Sequence, residues 1–421
     1  MRVLLIGSGG REHALAVALA KDPAVDELIA APGNPGIGTV ATLRAVDIGN
    51  PALVAGLAVE VGADLVVVGP EAPLVAGVAD AVRDAGIAVF GPSRAAARIE
   101  GSKAFAKDVM AAANVPTARA FTCRTPEEAA KALDEFGAPY VVKHDGLAAG
   151  KGVVVTSDRA QALGHAAAVP DVVVEEFLDG PELSLFAVTD GTTALPLMPA
   201  QDFKRIGDGD TGPNTGGMGS YCPLPWAPPG LVEDVMATVV RPTLAELSHR
   251  GSPFSGLLYC GLVLTADGPK VIEFNCRFGD PEVQSVLALL ETPLAALLYA
   301  AATGRLADAP PPRWRDGAAV TVVVASEGYP GTPRKGDVIS GALGPDGEAV
   351  PGVLHAGTAF DTDGRLVTAG GRVLACTATG PDLTAAHDAA YALVERVSWQ
   401  GAQHRTDIAK AAVDGTIKHP G

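Results

Sequence analysis

The chain has 421 residues, 48% of them hydrophobic, and a formal net charge of −16. This length suggests about three domains, and the apolar fraction suffices for substantial cores. An acidic chain repels phosphodiester backbones, which argues against a nucleic-acid partner, although a local site for a small anion can still be basic.

Cysteine usage and the N-terminal segment indicate where the protein works. The five cysteines are odd in number and form no CxxC pair, which argues against a disulfide framework or a zinc cluster and favours a reducing cytosol. GSGGR at residues 7–11 interrupts the short N-terminal apolar run, so a signal peptide is not predicted. The sequence contains no uncharged apolar run of about 18 residues that would predict a membrane span.

The first hundred residues alternate short apolar runs with helical patterns. Strands are predicted at residues 3–6, 27–31, 65–68 and 88–90, and a helix at 12–19. Continuous apolar strands separated by helices indicate a parallel α/β sheet. Glycine or proline follows each strand, and ligands of open α/β sheets bind beyond the carboxyl ends of the strands.

The middle of the chain predicts a smaller βα unit and then a long polar loop. Ser102 is the predicted N-cap of a helix over 102–114. Residues 201–221 are glycine-rich and polar, and long loops of this kind are usually functional or disordered. The other predicted elements are strands at 140–143, 152–156, 172–176, 270–277, 319–325 and 372–377, helices at 281–290, 293–304 and 383–397, and a proline-rich linker at 308–313.

The loop GSGGRE at residues 7–12 invites a dinucleotide-binding interpretation. That fingerprint requires a third glycine where this chain has Glu12, and an acidic residue at the end of the second strand, so a nicotinamide cofactor is not expected. Gly9 and Gly10 could still let the backbone approach a phosphate at the start of the helix. The alternative is an ordinary strand–helix turn.

A second glycine-rich loop, DGLAAGKG at residues 145–152, differs from a Walker A loop. Gly152 stands where that loop needs Ser or Thr, and a strand follows instead of a helix. Between two antiparallel strands, such a loop would lie over nucleotide phosphates as a lid. Lys143, at the end of the preceding strand, would then bind phosphate, unless it only extends to water.

Lys103 lies in the first turn of its helix, where a cation opposes the helix dipole. Its position makes sense if the lysine and the helix N-terminus share an anion. The alternative is a surface lysine.

The segment IEFNCR at residues 272–277 predicts a metal-binding strand face. Side chains alternate across a strand, which would direct Ile272 into a core and place Glu273, Asn275 and Arg277 on the opposite face. Carboxylate and amide oxygens suit magnesium, and an adjacent arginine can stabilise a transferring phosphoryl group. The alternative is a solvated face with an ion pair.

Two further segments carry weaker signals. The strand end and linker at residues 175–182 could offer backbone groups to an adenine edge and a carboxylate to a ribose. The glycine-rich loop at 210–219 supplies many backbone N–H groups and could form an anion nest, or it could be a mobile surface loop.

Taken together, these segments resemble the ATP-grasp superfamily and, within it, the family of glycinamide ribonucleotide synthetases. The motifs that carry the resemblance run in order from residue 7 to residue 378. They are GSGGREHAL, APGNPG, VGPEAPL, FGPS, EGSKAFAKD, DGLAAGKGV, EEFLDGPE, DTGPNTGGMG, IEFNCRFGDPE and GGRVLACTA.

The resemblance implies an α/β protein of ATP-grasp architecture with four domains. These are an N-terminal parallel α/β domain (1–101), a central α+β domain (102–119 and 183–317), a small ATP-lid domain (120–182) and a C-terminal α+β domain (318–421). It also implies ATP-dependent ligation of glycine to 5-phosphoribosylamine, through glycyl phosphate, in purine biosynthesis. Expected cofactors are ATP and Mg²⁺ or Mn²⁺. A cytoplasmic monomer or weak dimer is expected, with small-molecule partners and neither nucleic acid nor membrane.

The resemblance also assigns roles to individual residues. Residues implied in catalysis are Arg277, Asp210 and Lys151, and the metal ligands are Glu273 and Asn275. Residues implied in ATP binding are Lys103, Lys143, Gly150, Glu175, Glu176, Leu178 and Glu182. Residues implied in contact with glycine or phosphoribosylamine are Gly9, Gly10, Glu71, Asn214, Thr215, Gly216 and Met218.

The chain departs from the family pattern at two places in the predicted lid. His144 stands where relatives have a small alanine, and the stretch between residues 165 and 172 looks shortened. The rival interpretations are another ATP-grasp carboxylate–amine ligase, a purine-pathway carboxylase and a non-enzymatic nucleotide sensor. A sensor would not need Glu273, Asn275 and Arg277 on one strand face.

Overall fold

A computed structural model describes residues 1–147 and 152–418. The first ninety residues form a parallel sheet flanked by helices. Its elements are β1 (Arg2–Gly7), α1 (Gly10–Ala20), β2 (Glu27–Pro32), β3 (Thr42–Leu43), α2 (Pro51–Glu60), β4 (Leu65–Val68), α3 (Glu71–Ala76), α4 (Val78–Asp84) and β5 (Ala88–Phe90). The strand order is β3–β2–β1–β4–β5, and every pair is parallel. The predicted parallel α/β sheet is confirmed.

Two helices follow, α5 (Arg94–Gly101) and α6 (Lys103–Ala112). Ser102 lies between them, and its hydroxyl accepts a hydrogen bond from the amide of Phe105 at 3.1 Å. The predicted N-cap at Ser102 is confirmed, and Lys103 is the first residue of α6.

A small antiparallel sheet comes next, which we call the small sheet. Its elements are β6 (Ala120–Cys123), α7 (Pro126–Phe136), β7 (Tyr140–His144), β8 (Val153–Thr156), α8 (Arg159–Ala166) and β9 (Val172–Glu175). The order is β6–β9–β7–β8, and β7 pairs antiparallel with β8, as predicted for the strands that flank the glycine-rich loop. The small sheet has its own apolar core, separate from the rest of the chain.

Two larger sheets complete the chain. The elements between residues 182 and 302 are β10 (Glu182–Asp190), β11 (Ala194–Pro196), β12 (Gln201–Asp202), β13 (Arg205–Gly207), β14 (Thr211–Asn214), β15 (Gly219–Cys222), α9 (Leu231–Val235), α10 (Arg241–His249), β16 (Ser255–Thr265), β17 (Gly268–Asn275), α11 (Glu282–Leu289) and α12 (Leu294–Ala302). A π-helical turn at Met236–Val240 joins α9 to α10. The last elements are β18 (Ala318–Ala325), β19 (Val353–His355), β20 (Thr358–Phe360), β21 (Leu366–Thr368), β22 (Arg372–Gly380), α13 (Leu383–Val394) and α14 (Lys410–Val413).

One large sheet has the order β11–β10–β16–β17, and the other β12–β15–β18–β22–β19. Apolar clusters run without interruption from the parallel sheet through both of them. Within residues 1–147 and 152–418, no helix is both long and apolar enough to cross a membrane.

The glycine-rich segment at residues 201–221 is not the continuous loop that was predicted. Strands β12 and β15 lie at its two ends, where β15 pairs antiparallel with β18, and β13 pairs with β14 in a hairpin between them. The backbone is satisfied by pairing within the segment and by pairing of β15 with the distant β18, which local composition cannot reveal.

The predicted alternation along residues 272–277 is also corrected. The register of β17 against β16 shifts between Gly261 and Leu262, so that Ile272 is left as the extra residue of a bulge. Val271 and Phe274 are therefore in the core, and Ile272 is only partly buried. The regular strand ends at Asn275, before Arg277.

Candidate functional site

A buried ion-pair cluster joins the small sheet to the rest of the chain. The Lys143 ammonium lies 2.9 Å from the Glu175 carboxylate and donates a hydrogen bond to the carbonyl of Ile272 at 2.9 Å. Lys107 of α6 lies 3.3 Å from the second oxygen of Glu175. Burial lowers the pKa of Lys107 to about 8, although Glu175 acts in the opposite direction. Because Lys143 is buried and paired, it is not the solvent-seeking surface lysine of the alternative interpretation.

The N-terminus of α6 holds an anion supplied by the chain itself. One oxygen of the Asp145 carboxylate accepts from the amide of Lys103 at 2.6 Å and from that of Ala104 at 3.3 Å, and the other from the hydroxyl of Ser102 at 3.1 Å. The Lys103 ammonium donates to the carbonyl of Gly146 at 3.0 Å. Burial lowers the pKa of Lys103. The helix N-terminus thus binds the Asp145 carboxylate, whereas the Lys103 ammonium contacts a carbonyl, and the sharing of a nucleotide phosphate by the two stays a prediction.

Cations surround Glu273. Burial alone would raise the pKa of this carboxyl group, but Lys204, Lys143 and Lys103 together hold it below its ordinary value. Glu273 is therefore ionised near neutral pH, as a metal ligand must be. Asn275 is buried at the end of the same strand. No group of three or more His, Cys, Asp or Glu side chains suited to a metal occurs among the described residues.

Sequence reasoning missed Lys204 and Asp202. The Lys204 ammonium contacts the carboxylate of Glu182 and lies 4.0 Å from that of Asp202. Burial alone would lower the pKa of Lys204, but Asp202, Glu182 and Glu273 hold it well above its ordinary value. The only local signal is that Asp202 and Lys204 are two positions apart, a spacing that places side chains on one face of an extended segment.

Arg277 lies between two carboxylates from different elements. Its guanidinium is 3.3 Å from Glu71 at the start of α3 and 3.2 Å from Glu100 at the end of α5. Burial alone would lower the pKa of Arg277, but Glu100 and Glu71 raise it. Arg11 of α1 lies 3.8 Å from Glu71 as well. The structure thus brings together Arg277 and Glu71, to which sequence analysis assigned separate roles, and it adds Glu100 and Arg11, which were missed.

The first glycine loop, at residues 7–12, is held by a side chain from the first turn of α1. The amide of Gly9 donates to the carboxylate of Glu12 at 2.6 Å, and the same side chain pairs with Arg11 at 2.8 Å. Glu12 thus caps the N-terminus of α1, which gives a structural reason for an acidic residue at the third glycine position. Gly10 packs against Asp280, since a methyl group added to it would lie 3.4 Å from that carboxylate.

The anion-nest interpretation of the loop at 210–219 is wrong for its central part. The amides of Thr215 and Met218 donate to the carbonyls of Lys204 and Phe203, respectively. The amide of Gly217 donates to the hydroxyl of Thr215, and that of Gly216 to the hydroxyl of Tyr329. These four consecutive backbone amides all donate to groups within the protein, so they are not available to bind an anion.

The remaining predicted site residues of this loop lie in three different environments. Asp210 is exposed on the β13–β14 hairpin, and its carboxylate pairs with Arg405 at 2.7 Å. The side-chain amide of Asn214 lies 3.5 Å from the carbonyl of Val153 in the small sheet. Met218 is fully buried in the core.

The linker after β9 carries the last of the predicted nucleotide contacts. Glu176 accepts hydrogen bonds from the amide and side chain of Arg119, at 2.9 and 2.8 Å. This ion pair connects the linker that follows β9 to the segment that precedes β6. Leu178 is half-buried. Gly150 and Lys151 lie outside the described residues.

Family models and relatives match the sequence of almost the entire chain. The N domain of phosphoribosylglycinamide synthetase matches residues 1–100, its ATP-grasp (A) domain residues 101–283, and its C domain residues 319–411. A phosphoribosylamine–glycine ligase of Streptomyces coelicolor is 64% identical over 98% of this chain and 99% of its own length. The chain belongs to the phosphoribosylglycinamide synthetase family. The ligase of Mycobacterium tuberculosis is 58% identical over 99% of this chain and 100% of its own.

Solved structures agree with membership of the phosphoribosylglycinamide synthetase family. The crystal structure of the Thermotoga maritima phosphoribosylamine–glycine ligase superimposes with a TM-score of 0.84 at 35% identity, over 97% of this chain and all of that one. A biotin carboxylase domain of Hydrogenobacter thermophilus 2-oxoglutarate carboxylase gives 0.71 at 17% identity, over 96% of this chain and 91% of that one, which shows the shared fold alone.

His144, which was predicted to depart from the family pattern, has a partner in the structure. Its ring stacks on that of His165 with centroids 3.9 Å apart and an interplanar angle of 14°. His144 is hydrogen-bonded to the carbonyl of His165 at 3.0 Å, and His165 to that of Gly152 at 3.1 Å. The pair therefore holds together both ends of the glycine-rich loop.

Proposed function

We propose that this protein is an ATP-dependent ligase that joins glycine to 5-phosphoribosylamine, giving glycinamide ribonucleotide, ADP and phosphate in purine biosynthesis. Relatives named phosphoribosylamine–glycine ligase match it over nearly the full length of both chains. Within the structure, the observation that carries the proposal is the buried Lys143 ammonium, which contacts the carbonyl of Ile272 beside Glu273, while Lys204, Lys143 and Lys103 together lower the pKa of Glu273. This concentration of cations suits the phosphates of ATP and the charge that develops during phosphoryl transfer.

The chemistry requires an activated carboxylate. An amine cannot displace oxide from glycine, so the terminal phosphoryl group of ATP is first transferred to a carboxylate oxygen, which releases ADP and forms glycyl phosphate. The amine of phosphoribosylamine then attacks the acyl carbon, phosphate leaves, and the nitrogen loses a proton. In this proposal Lys103 and Lys143 bind the ATP phosphates, and Arg277 stabilises charge on the transferring group.

The residues around Glu273 fit Mg²⁺ or Mn²⁺. Glu273 offers an ionised carboxylate and Asn275 an amide oxygen, and magnesium typically takes one or two protein ligands together with substrate phosphates. A bound ion would neutralise phosphate charge and act as a Lewis acid. Lys204, beside Glu182 and Asp202, supplies balancing positive charge within the protein.

The four-domain division inferred from the sequence forms part of the proposal, with residues 120–182 acting as the ATP lid. A separate apolar core and the tie between Arg119 and Glu176 at its base support this role. The other assignments also remain proposals. Gly150, Lys151, Glu175, Glu176, Leu178 and Glu182 would contact ATP, and Gly9, Gly10, Glu71, Asp210, Asn214, Thr215, Gly216 and Met218 would act at the glycine and phosphoribosylamine site.

The decisive experiment measures ADP formation by the purified protein with each substrate omitted in turn. We expect turnover only when ATP, glycine and phosphoribosylamine are all present, with glycinamide ribonucleotide formed in equal amount. Turnover that depends on bicarbonate would indicate a carboxylase. Nucleotide binding without turnover under any combination would favour a sensor. Either result would overturn the proposed reaction.

A further inference from the structure

Arg372, the first residue of β22, reaches from the C-terminal sheet into the predicted substrate site. One of its terminal nitrogens donates to the carbonyl of Gly216 and to that of Asp280, each at 2.5 Å. The other lies 3.1 Å from the Asp280 carboxylate. A single guanidinium thus connects the loop at Gly216 with the segment that precedes α11.

Gly216 is held on both of its backbone polar groups by residues of the C-terminal part. Its carbonyl accepts from Arg372, and its amide donates to the hydroxyl of Tyr329 at 2.9 Å. A methyl group on Gly216 would lie 3.1 Å from the central guanidinium carbon of Arg372, so the two groups are in close contact. Because both groups are fixed, the conformation of the loop at this point depends on distant side chains.

Asp280 extends the connection to the first glycine loop. Its carboxylate accepts from the side chain of Gln284 at 2.7 Å. Methyl groups added to Gly9 and Gly10 would lie 3.7 and 3.4 Å from its two oxygens. Burial alone would raise the pKa of Asp280, but Arg372 and Arg11 hold it below its ordinary value. Asp280 therefore remains a charged partner for Arg372.

We propose that Arg372 is a positioning residue that assembles the glycine and phosphoribosylamine site from three separate segments. The segments are the loop at Gly9 and Gly10, the loop at Gly216 and the turn at Asp280. Arg372 acts through these groups and is not itself a catalytic residue. The inference deepens the proposed function and rests on it, because it assumes that these two loops face the acceptor and glycine.

The test compares Arg372→Met and Arg372→Lys with the control Arg365→Met. Arg365 is an exposed arginine of the same part of the chain, and its ion-pair partners among the described residues are Asp361 and Asp363. We measure KM for ATP, glycine and phosphoribosylamine, kcat, and the thermal unfolding midpoint. In Arg372→Met we expect KM for glycine and phosphoribosylamine to rise by about tenfold or more, since charge-assisted bonds to the loops are lost, while KM for ATP changes less than about twofold. Arg372→Lys should recover part of the loss, and Arg365→Met should match the wild type.

The outcomes separate this inference from the proposed function. If the wild type shows no turnover with glycine and phosphoribosylamine, the proposed function fails first. The positioning role is refuted if the wild type is active and the folded Arg372→Met variant keeps all three KM values. It is also refuted if the variant only loses kcat in proportion to its folded fraction. Should Arg372→Met not fold, Arg372→Lys decides, because a single ammonium keeps the charge but cannot replace two guanidinium nitrogens that contact the carbonyls of Gly216 and Asp280 and the Asp280 carboxylate. An unchanged KM for glycine and phosphoribosylamine in that variant would then refute the proposal.

Discussion

The ammonium of Lys143 lies 2.9 Å from the carboxylate of Glu175, and each side chain is only 4% exposed. This pair spans β7 and β9 of the small sheet, and the bond from Lys143 to the carbonyl of Ile272 fastens it to β17. A phosphate entering next to Lys143 would therefore meet a cation whose position is fixed from both sides.

Replacing Lys143 by alanine should weaken both ATP use and stability. We expect a higher KM for ATP and a lower kcat, because a buried phosphate loses its cation. We also expect the free energy of unfolding to fall by about 3 kcal/mol, since the buried carboxylate of Glu175 loses one of the two cations that pair with it among the described residues. Initial rates over a range of ATP concentrations and urea denaturation measure both quantities.

The control for this change is Arg159→Ala, which removes the solvent-exposed pair with Asp134 on the surface of the same small sheet. Its effect on unfolding should stay below about 1 kcal/mol, with ATP dependence unchanged. Wild-type ATP dependence in Lys143→Ala would mean that Lys143 is only structural.

Glu273→Gln should raise the magnesium requirement far more than it affects folding. The carboxylate is held in its ionised form by surrounding lysines and, in the proposed site, is a metal ligand. We expect at least about a tenfold increase in the Mg²⁺ concentration needed for half-maximal rate. Asp267→Asn, at the exposed turn of the same hairpin, is the matched control. Near-normal activity of Glu273→Gln at low magnesium would remove Glu273 from the metal site.

Glycine labelled with heavy oxygen in its carboxylate should transfer one labelled atom to phosphate in each turnover. Through glycyl phosphate, one carboxylate oxygen leaves with phosphate and the amide keeps the other. Mass spectrometry of the released phosphate measures the transfer. Unlabelled phosphate with confirmed turnover would instead indicate phosphorylation of the acceptor. Arg277→Ala should slow the transfer without redirecting the label.

Acid should destabilise the contact between the first and last parts of the chain. The amide of His355 donates to the ring of His13 at 2.7 Å, and burial lowers the pKa of His13 to about 3. The unfolded chain binds a proton near pH 6.5 that the folded chain does not bind, so stability is lost as pH falls below that value. This one group should remove about 2 kcal/mol between pH 7 and pH 5.

Urea denaturation at the two pH values tests this expectation. His13→Asn, whose amide oxygen can still accept from His355, should show a shallower pH dependence than the wild type. His249→Asn, on the exposed end of α10, should keep the wild-type dependence. Equal pH dependence in His13→Asn and the wild type would contradict the assignment to His13.

Local chemistry was enough to predict the elements that carry the proposed site. Apolar runs closed by glycine predict the parallel sheet, and Ser102 predicts the start of α6, because strand pattern and helix capping depend on neighbours within a few residues. The same reasoning identified Lys143 and Glu273 as candidate site residues. It could not find the bulge at Ile272, because a bulge is a property of two paired strands.

Only the tertiary structure decided which residues hold these elements together. Arg372 and Gly216 are 156 positions apart, and Arg277 and Glu71 are 206 apart, so no local pattern couples them. The loop around Gly216 looked like a source of free amides, yet these donate to the hydroxyls of Tyr329 and Thr215 and to backbone carbonyls. Residue type and spacing establish which groups a segment can offer. Whether a donor is free depends on what the folded chain brings next to it, because burying it unpaired would cost too much.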